Sequence, residues 1–110
     1  MHHPDRKDIS LPNVLYALGD PVRLEIVQRL ATKGEQSCTA LDCLIAKSTM
    51  SHHFRILRES GVLYCRKEGT QHINSLRRAD LDALFPGLLV AVLQSVKISS
   101  SCHPEAESSK

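Results

Sequence analysis

Tryptophan is missing from the 110 residues, and two tyrosines and two phenylalanines are the only aromatics. So few large rings supply material for one compact, helix-dominated domain with a modest core, which a partner subunit would help to complete. An excess of either charge is missing too: 14 Lys and Arg stand against 12 Asp and Glu, a formal net charge of +2. Any surface for a polyanion must then come from local clustering rather than from bulk charge. There is no long apolar run. The longest, LFPGLLVAVL at 84–93, is too short to span a bilayer, and MHHPDRKDIS lacks the apolar centre of a signal peptide, so a soluble, cytoplasmic chain without a membrane partner is expected. Cys38, Cys43, Cys65 and Cys102 lie too far apart in such a chain for a disulfide framework and are expected as reduced thiols. No Gly-rich phosphate loop, paired carboxylates or nucleophile–base signature is present, which leaves no ground for an enzyme or a cofactor. No internal repeat is visible.

What is present is a succession of short, well-punctuated elements. Residues 1–10 are polar and read as a flexible arm, and LPNVLYALGD reads as a short apolar helix ended by Gly19. In DPVRLEIVQRLATKG, Asp20 suits the cap, Pro21 the first helical position and Gly34 the stop. Val22, Ile26 and Leu30 make one apolar row, while Leu24 and Val27 lie well round the helix from it, so this element is expected to be surrounded by others. SCTALDCLIA (37–46) has Ala40, Leu41, Leu44 and Ile45 at helical spacing, and Ser48 with Thr49 starts a further helix that Gly61 ends. Two short helices in such close sequence predict a helix-turn-helix.

After Gly61 the period changes to two. VLYCRKEGTQHINSL predicts strands over 62–67 and 71–76 around a turn Glu68-Gly69-Thr70. The remainder places Leu81, Leu84, Phe85, Leu88, Val92 and Val96 on one stripe, which Pro86 kinks or breaks. That stripe is larger than so small a core requires. The Ser-rich tail from 98 to 110 is expected to be disordered, leaving 11–97 as the domain.

The stretch KSTMSHHFRILRESGVL (47–63) carries the functional signal. At 100° per residue, Met50, Phe54 and Leu57 share one side, while Ser48, His52, Arg55 and Glu59 lie opposite and Ser51 and Arg58 flank them. His52 then faces outward and His53 lies beside the apolar row, where a hydrogen bond within the domain is its expected role. Adjacent histidines point about 100° apart and cannot easily share a metal. The outer side, with Lys47 and Thr49 at its start, offers free amides and the positive helix end to phosphate, and His52 and Arg55 to base edges. A merely solvated face would look similar. The hairpin that follows, with Arg66, Lys67 and His72, favours a wing that reaches toward the backbone or the minor groove of DNA.

From ALGDPVRLEIVQRLA through KSTMSHHFRILRESGVLYCRKEGTQHINSLRRADLDALFPGLL, the chain resembles the ArsR/SmtB family of winged helix-turn-helix repressors of bacteria, over roughly residues 12 to 95. The most specific pieces are D-P-x-R-L, S-x-x-S-H-H followed by L-R-E-S-G, and R-K-E-G. The resemblance implies a mainly α (α+β) fold of about five helices with a two-stranded wing, forming a homodimer through the first and last helices. It also implies binding to double-stranded operator DNA through the helix from Ser48, and release on a signal. Leu15, Leu81, Leu84, Leu88, Leu89 and Val92 are the dimer candidates. A rival reading keeps the winged helix as a protein-interaction module without DNA binding.

The family's metal ligands do not transfer. Where the family has Cys-x-Cys near the third helix, this chain has Cys38 and Cys43 five residues apart; where it has Asp-x-His and a later His, this chain has Asp80-Leu81-Asp82 and no histidine from Arg77 to Cys102. The second helix has no cysteine, so the family's thiol pair lacks one member. A thiol- or soft-metal-responsive repressor using Cys38, Cys43 and Cys102 stays open, and the sequence names no inducer.

Overall fold

The computed structural model describes residues 3–41 and 47–96. The expectations for Cys43, Leu44, Ile45, Cys102 and the tail from 98 lie outside that set. After a 3-10 turn at Arg6–Asp8 come α1 (Leu11–Leu18), α2 (Pro21–Lys33), β1 (Gln36–Ser37), α3 (Cys38–Leu41) and α4 (Lys47–Glu59). Then follow β2 (Leu63–Glu68), β3 (Gln71–Leu76), α5 (Arg78–Leu84) and α6 (Leu88–Ser95). This is the expected mainly α winged helix-turn-helix, with a third strand added and the last helix divided.

The punctuation residues act as their chemistry requires. Asp20 accepts at Oδ2 from the amides of Val22 (2.9 Å) and Arg23 (3.1 Å), and Pro21 occupies the first helical position. Such a cap contributes about 0.5–2 kcal/mol. Ile26 and Val27, adjacent and so about 100° apart around α2, are both fully buried. The helix is therefore enclosed on more than one side, by α1, α4 and β3.

α4 buries Met50, Phe54 and Leu57 and closes with paired terminal bonds, Val62 N–H to Leu57 O (3.0 Å) and Gly61 N–H to Arg58 O (3.2 Å). Gly61 has φ +90, and a Cβ there would stand 2.5 Å from the Ile9 side chain. Glycine is needed at this joint for backbone conformation and for space.

β2 and β3 pair antiparallel from Leu63↔Leu76 to Glu68↔Gln71. The first strand runs 63–68 rather than 62–67, and the turn is the two residues Gly69-Thr70. Gly69, with φ +61, supplies the positive φ that so short a hairpin turn needs. β1 adds to the other side of β3, giving the order β1-β3-β2. Two residues are too few for alternation to reveal; the open edge of β3 recruits them.

Pro86 breaks the C-terminal stripe rather than kinking it, because it removes an amide and disfavours helix at the residue before it. α5 ends at Leu84, and Gly87 (φ +84) precedes α6. The N-terminal arm, expected to be flexible through residue 10, is held from His3 onward. Cys65 N–H donates to His3 Nε2 (3.0 Å), Arg77 donates to Pro4 O (2.8 Å), and Ile9 is buried against the core. No helix among the described residues is long and apolar enough to cross a membrane.

Candidate nucleic-acid interface

The two faces of α4 divide as helical geometry dictates. Thr49, Ser51, His52, Arg55 and Glu59 are exposed, whereas Met50, His53, Phe54 and Leu57 are buried. Lys47 and Ser48 belong to the first turn, and their side chains lie outside the described set. Arg58 is half-buried, and its Nε has no hydrogen-bond partner among the described residues. His53 is inside the domain as expected, its Nδ1 3.1 Å from Nη1 of Arg23. Burial pushes its pKa down; Asp20 opposes that shift, and Arg23 and His52 add to it.

The wing separates its cations. Lys67 and His72 are cross-strand partners, as are Cys65 and Asn74, and the two-residue alternation of a strand puts these four side chains on one face and Arg66 on the other. Lys67 and His72 are exposed. Arg66 is held by two carboxylates: Glu35 accepts from Nη1 and Nη2 at 2.7 and 3.0 Å, and Glu68 from Nε and Nη2 at 3.1 and 3.0 Å. These bonds stabilise the charged forms on both sides, raising the pKa of Arg66 and lowering that of Glu35. Arg66 is thus a clamp between the β1 approach and the wing, not an open cation. Glu68, two residues along the same strand, was a visible partner in the sequence; Glu35, 31 residues away, was not.

A cleft of about 520 Å³ runs between α4 and the wing. Ser51, His52, Arg55 and Arg58 line it from the helix, His72, Cys65 and Asn74 from the sheet, and Cys38 from the start of α3. The structure therefore brings most of the predicted helix residues to His72 and leaves Arg66 aside. Sequence reasoning missed Asn74. It is 2% exposed and donates to Gln36 O (3.4 Å) and Cys38 Sγ (3.3 Å), tying α3 and β1 to the sheet beneath the cleft. An asparagine inside a strand, where that residue is disfavoured, was the available signal.

Of the thiols, Cys38 is half-buried and Cys65 buried, and burial pushes the Cys65 thiol pKa up. Asp80, which stands where the family has a metal ligand, is occupied by Arg6 (2.7 Å) and Arg77 (2.9 Å), which together hold its carboxyl below the usual range. Among the described residues no three His, Cys, Asp or Glu side chains gather as metal ligands would.

The dimer candidates divide as well. Leu81 and Leu89 are 2% and 1% exposed within one protomer and have almost no surface left for a partner, because each packs into the protomer's own core. Leu15 is exposed, and Leu84, Leu88 and Val92 are half-buried. Leu11 and Tyr16 on α1 and Val90 on α6, absent from the sequence-based set, are exposed large apolar side chains.

Comparison with known proteins agrees with this geometry. A family described as a helix-turn-helix domain matches residues 18–66. The chain is 37% identical over 79 residues to YceK of Bacillus subtilis, an uncharacterized HTH-type transcriptional regulator, covering 69% of this chain and 79% of that one. It is 33% identical over 80 residues to the arsenical resistance operon repressor of Staphylococcus xylosus, covering 72% of this chain and 77% of the other. Among solved structures, the transcriptional repressor BigR of Xylella fastidiosa superposes with a TM-score of 0.55 at 31% identity, covering 68% of this chain and 85% of that chain. Fold, sequence and the arrangement of helix and wing thus converge: the chain belongs to the ArsR family of winged helix-turn-helix, DNA-binding transcriptional repressors.

Proposed function

We propose that the protein acts as a homodimer on an inverted-repeat operator, with α4 in the major groove and the wing against the adjacent backbone. In this reading His52 and Arg55 address base edges, Thr49, Ser51 and Arg58 support the groove contact, and Lys67 and His72 meet phosphate. The observation that carries it is the shared cleft, which sets the outer face of α4 and one face of the wing side by side. Arg55 and Lys67 have no carboxylate partner among the described residues, so their charge is available to DNA.

Leu15 and Tyr16 on α1 and Val90 on α6 supply apolar surface for the second copy. Two-fold symmetry would then set the two α4 helices about 34–36 Å apart, one turn of duplex. The test is selection of duplexes from random-sequence DNA by the purified chain, with sedimentation of the protein alone and on the selected duplex. The expected result is an inverted repeat bound by a dimer, with affinity that falls steeply as salt rises. Enrichment of no sequence at low salt, or binding of one protomer to a single half-site, would overturn the reading.

A further inference from the structure

Arg23, in the D-P-x-R-L stretch, is 6% exposed. A buried guanidinium is costly unless its N–H groups find acceptors. Nε donates to Ala17 O at 2.6 Å and Nη2 to Tyr16 O at 3.2 Å, near the end of α1, and the guanidinium carbon lies 5.3 Å from the centre of the Tyr16 ring. The remaining nitrogen, Nη1, reaches His53 Nδ1 on α4 at 3.1 Å. Arginine carries only donors, so His53 Nδ1 accepts and the ring's proton sits on Nε2. One side chain on α2 therefore joins the end of α1, with its exposed Tyr16, to the helix that presents His52 and Arg55.

We propose that the hydrogen bond from Arg23 to neutral His53 is a positioning link that sets the rotation of α4 about its axis, and with it the choice of DNA sequence. The proposal rests on the DNA-binding role of α4. Because successive helical residues are about 100° apart, holding His53 inward fixes the direction in which His52 points, and Arg55 with it. Base-edge contacts depend on that direction, whereas phosphate contacts supply affinity without sequence information. Loss of the link should therefore lower sequence preference more than total affinity.

Protonation would break the link, since a charged imidazole cannot accept at Nδ1. The charged and titratable groups that act on His53 are Asp20, whose Oδ2 is 3.8 Å from Nδ1, Arg23 and His52. Burial, the largest influence, lowers the His53 pKa, and Arg23 and His52 lower it further against the attraction of Asp20. With the folded pKa below the unfolded one, the link is intact above the ordinary histidine value of about 6.5 and is lost as pH falls through the folded value.

The test compares wild type with His53→Leu, which removes the acceptor, and His53→Asn, whose amide oxygen stands near the place of Nδ1. Each 110-residue protein is measured against the duplex that wild type selects from random-sequence DNA and against a scrambled duplex of equal length. A hydrogen bond to a charged group corresponds to roughly tenfold or more. His53→Leu should lose roughly that much of its preference for the selected duplex, while its binding to scrambled DNA changes by less than about threefold. His53→Asn should recover most of the loss. If His53→Leu keeps wild-type preference, or His53→Asn falls as far as His53→Leu, the link does not position α4.

The pH profile of preference gives a second readout that does not need the leucine variant to fold. As pH falls from about 6.5 to the lowest value at which both proteins stay folded, wild type should lose preference relative to His53→Asn, His52 and His72 being common to both. Parallel profiles overturn the proposal. Failure of wild type to select any duplex would instead remove the DNA-binding role on which it stands.

Discussion

The outer face of α4 and the wing both look basic in the sequence, yet they make opposite use of their arginines. Arg55 stands exposed and makes no ion pair among the described residues, with Glu59 one turn further along the same face, whereas Arg66 is closed in by Glu35 and Glu68. The lesson is that counting cations overstates the charge a surface offers. Helical periodicity governs which residues share a face with Arg55, so its surroundings can be read locally. The partner that occupies Arg66 comes from before β1 and reaches it only because β1 pairs with β3. The wing therefore leaves Lys67 and His72 exposed, the two cations that the proposed complex would turn to DNA, and Arg66 holds the wing to the body.

The contrast can be broken at the joint between the two regions, where the largest effect is expected. Gly61→Ala must strain a φ of +90 and displace Ile9, together about 2–4 kcal/mol, which calorimetry should show as a melting temperature lower by roughly 10 °C or more. Gly69→Ala at the wing tip, with no atom within 4 Å of the added carbon, should cost only about 1–2 kcal/mol of backbone strain. Equal losses would mean that Ile9 gives way freely.

Next in size is the direct test of the two arginines. Arg55→Ala should weaken binding to the selected duplex by about 1–3 kcal/mol and relax preference at one base. Arg66→Ala should leave base preference unchanged. If the two variants lose preference alike, the distinction between open and clamped arginine is wrong.

Smaller effects sharpen the account of charge. Lys67→Ala should weaken all duplexes similarly and reduce the slope of log affinity against log salt by about 1. Glu35→Gln should act in the reverse sense, loosening the clamp and strengthening binding to any duplex at low salt. An unchanged affinity would show that Glu68 alone suffices to hold Arg66.

The smallest expected effect is at the base of the wing. Asp80, between Arg6 and Arg77, has a folded pKa below its unfolded value, so its contribution is complete above about pH 4 and is lost as pH falls through the folded value. Asp80→Asn should be less stable than wild type at neutral pH, and the two should converge on acidification. Denaturant titrations at several pH values would show a constant gap if the carboxylate charge had no part.

Local chemistry made much of the molecule legible in advance. Asp20, Pro21 and Gly34 bound α2 because caps and stops act within one turn, and Met50, Phe54 and Leu57 face inward because a helix has a fixed period. Gly61 ends α4 for the same kind of reason. The wing was readable as a hairpin, although its turn was placed one residue too wide, since Glu68 favours neither strand nor turn strongly enough to mark the boundary. Beyond that reach were β1, a strand of two residues, and the burial of Leu89 and of Leu81, the latter sharing its apolar stripe with residues that stay partly exposed.

Helix order, the division of α4 into an inner and an outer face and the kinship to ArsR-family repressors were thus settled by the chain's own spacing of apolar, capping and turn residues, because those forces act between residues a few positions apart. Which arginine is free, which leucines stay exposed and which histidine nitrogen must accept depended on groups such as Glu35 and Arg23, distant in sequence from what they touch. Only folding brings them within hydrogen-bond range, so only the tertiary structure decided them.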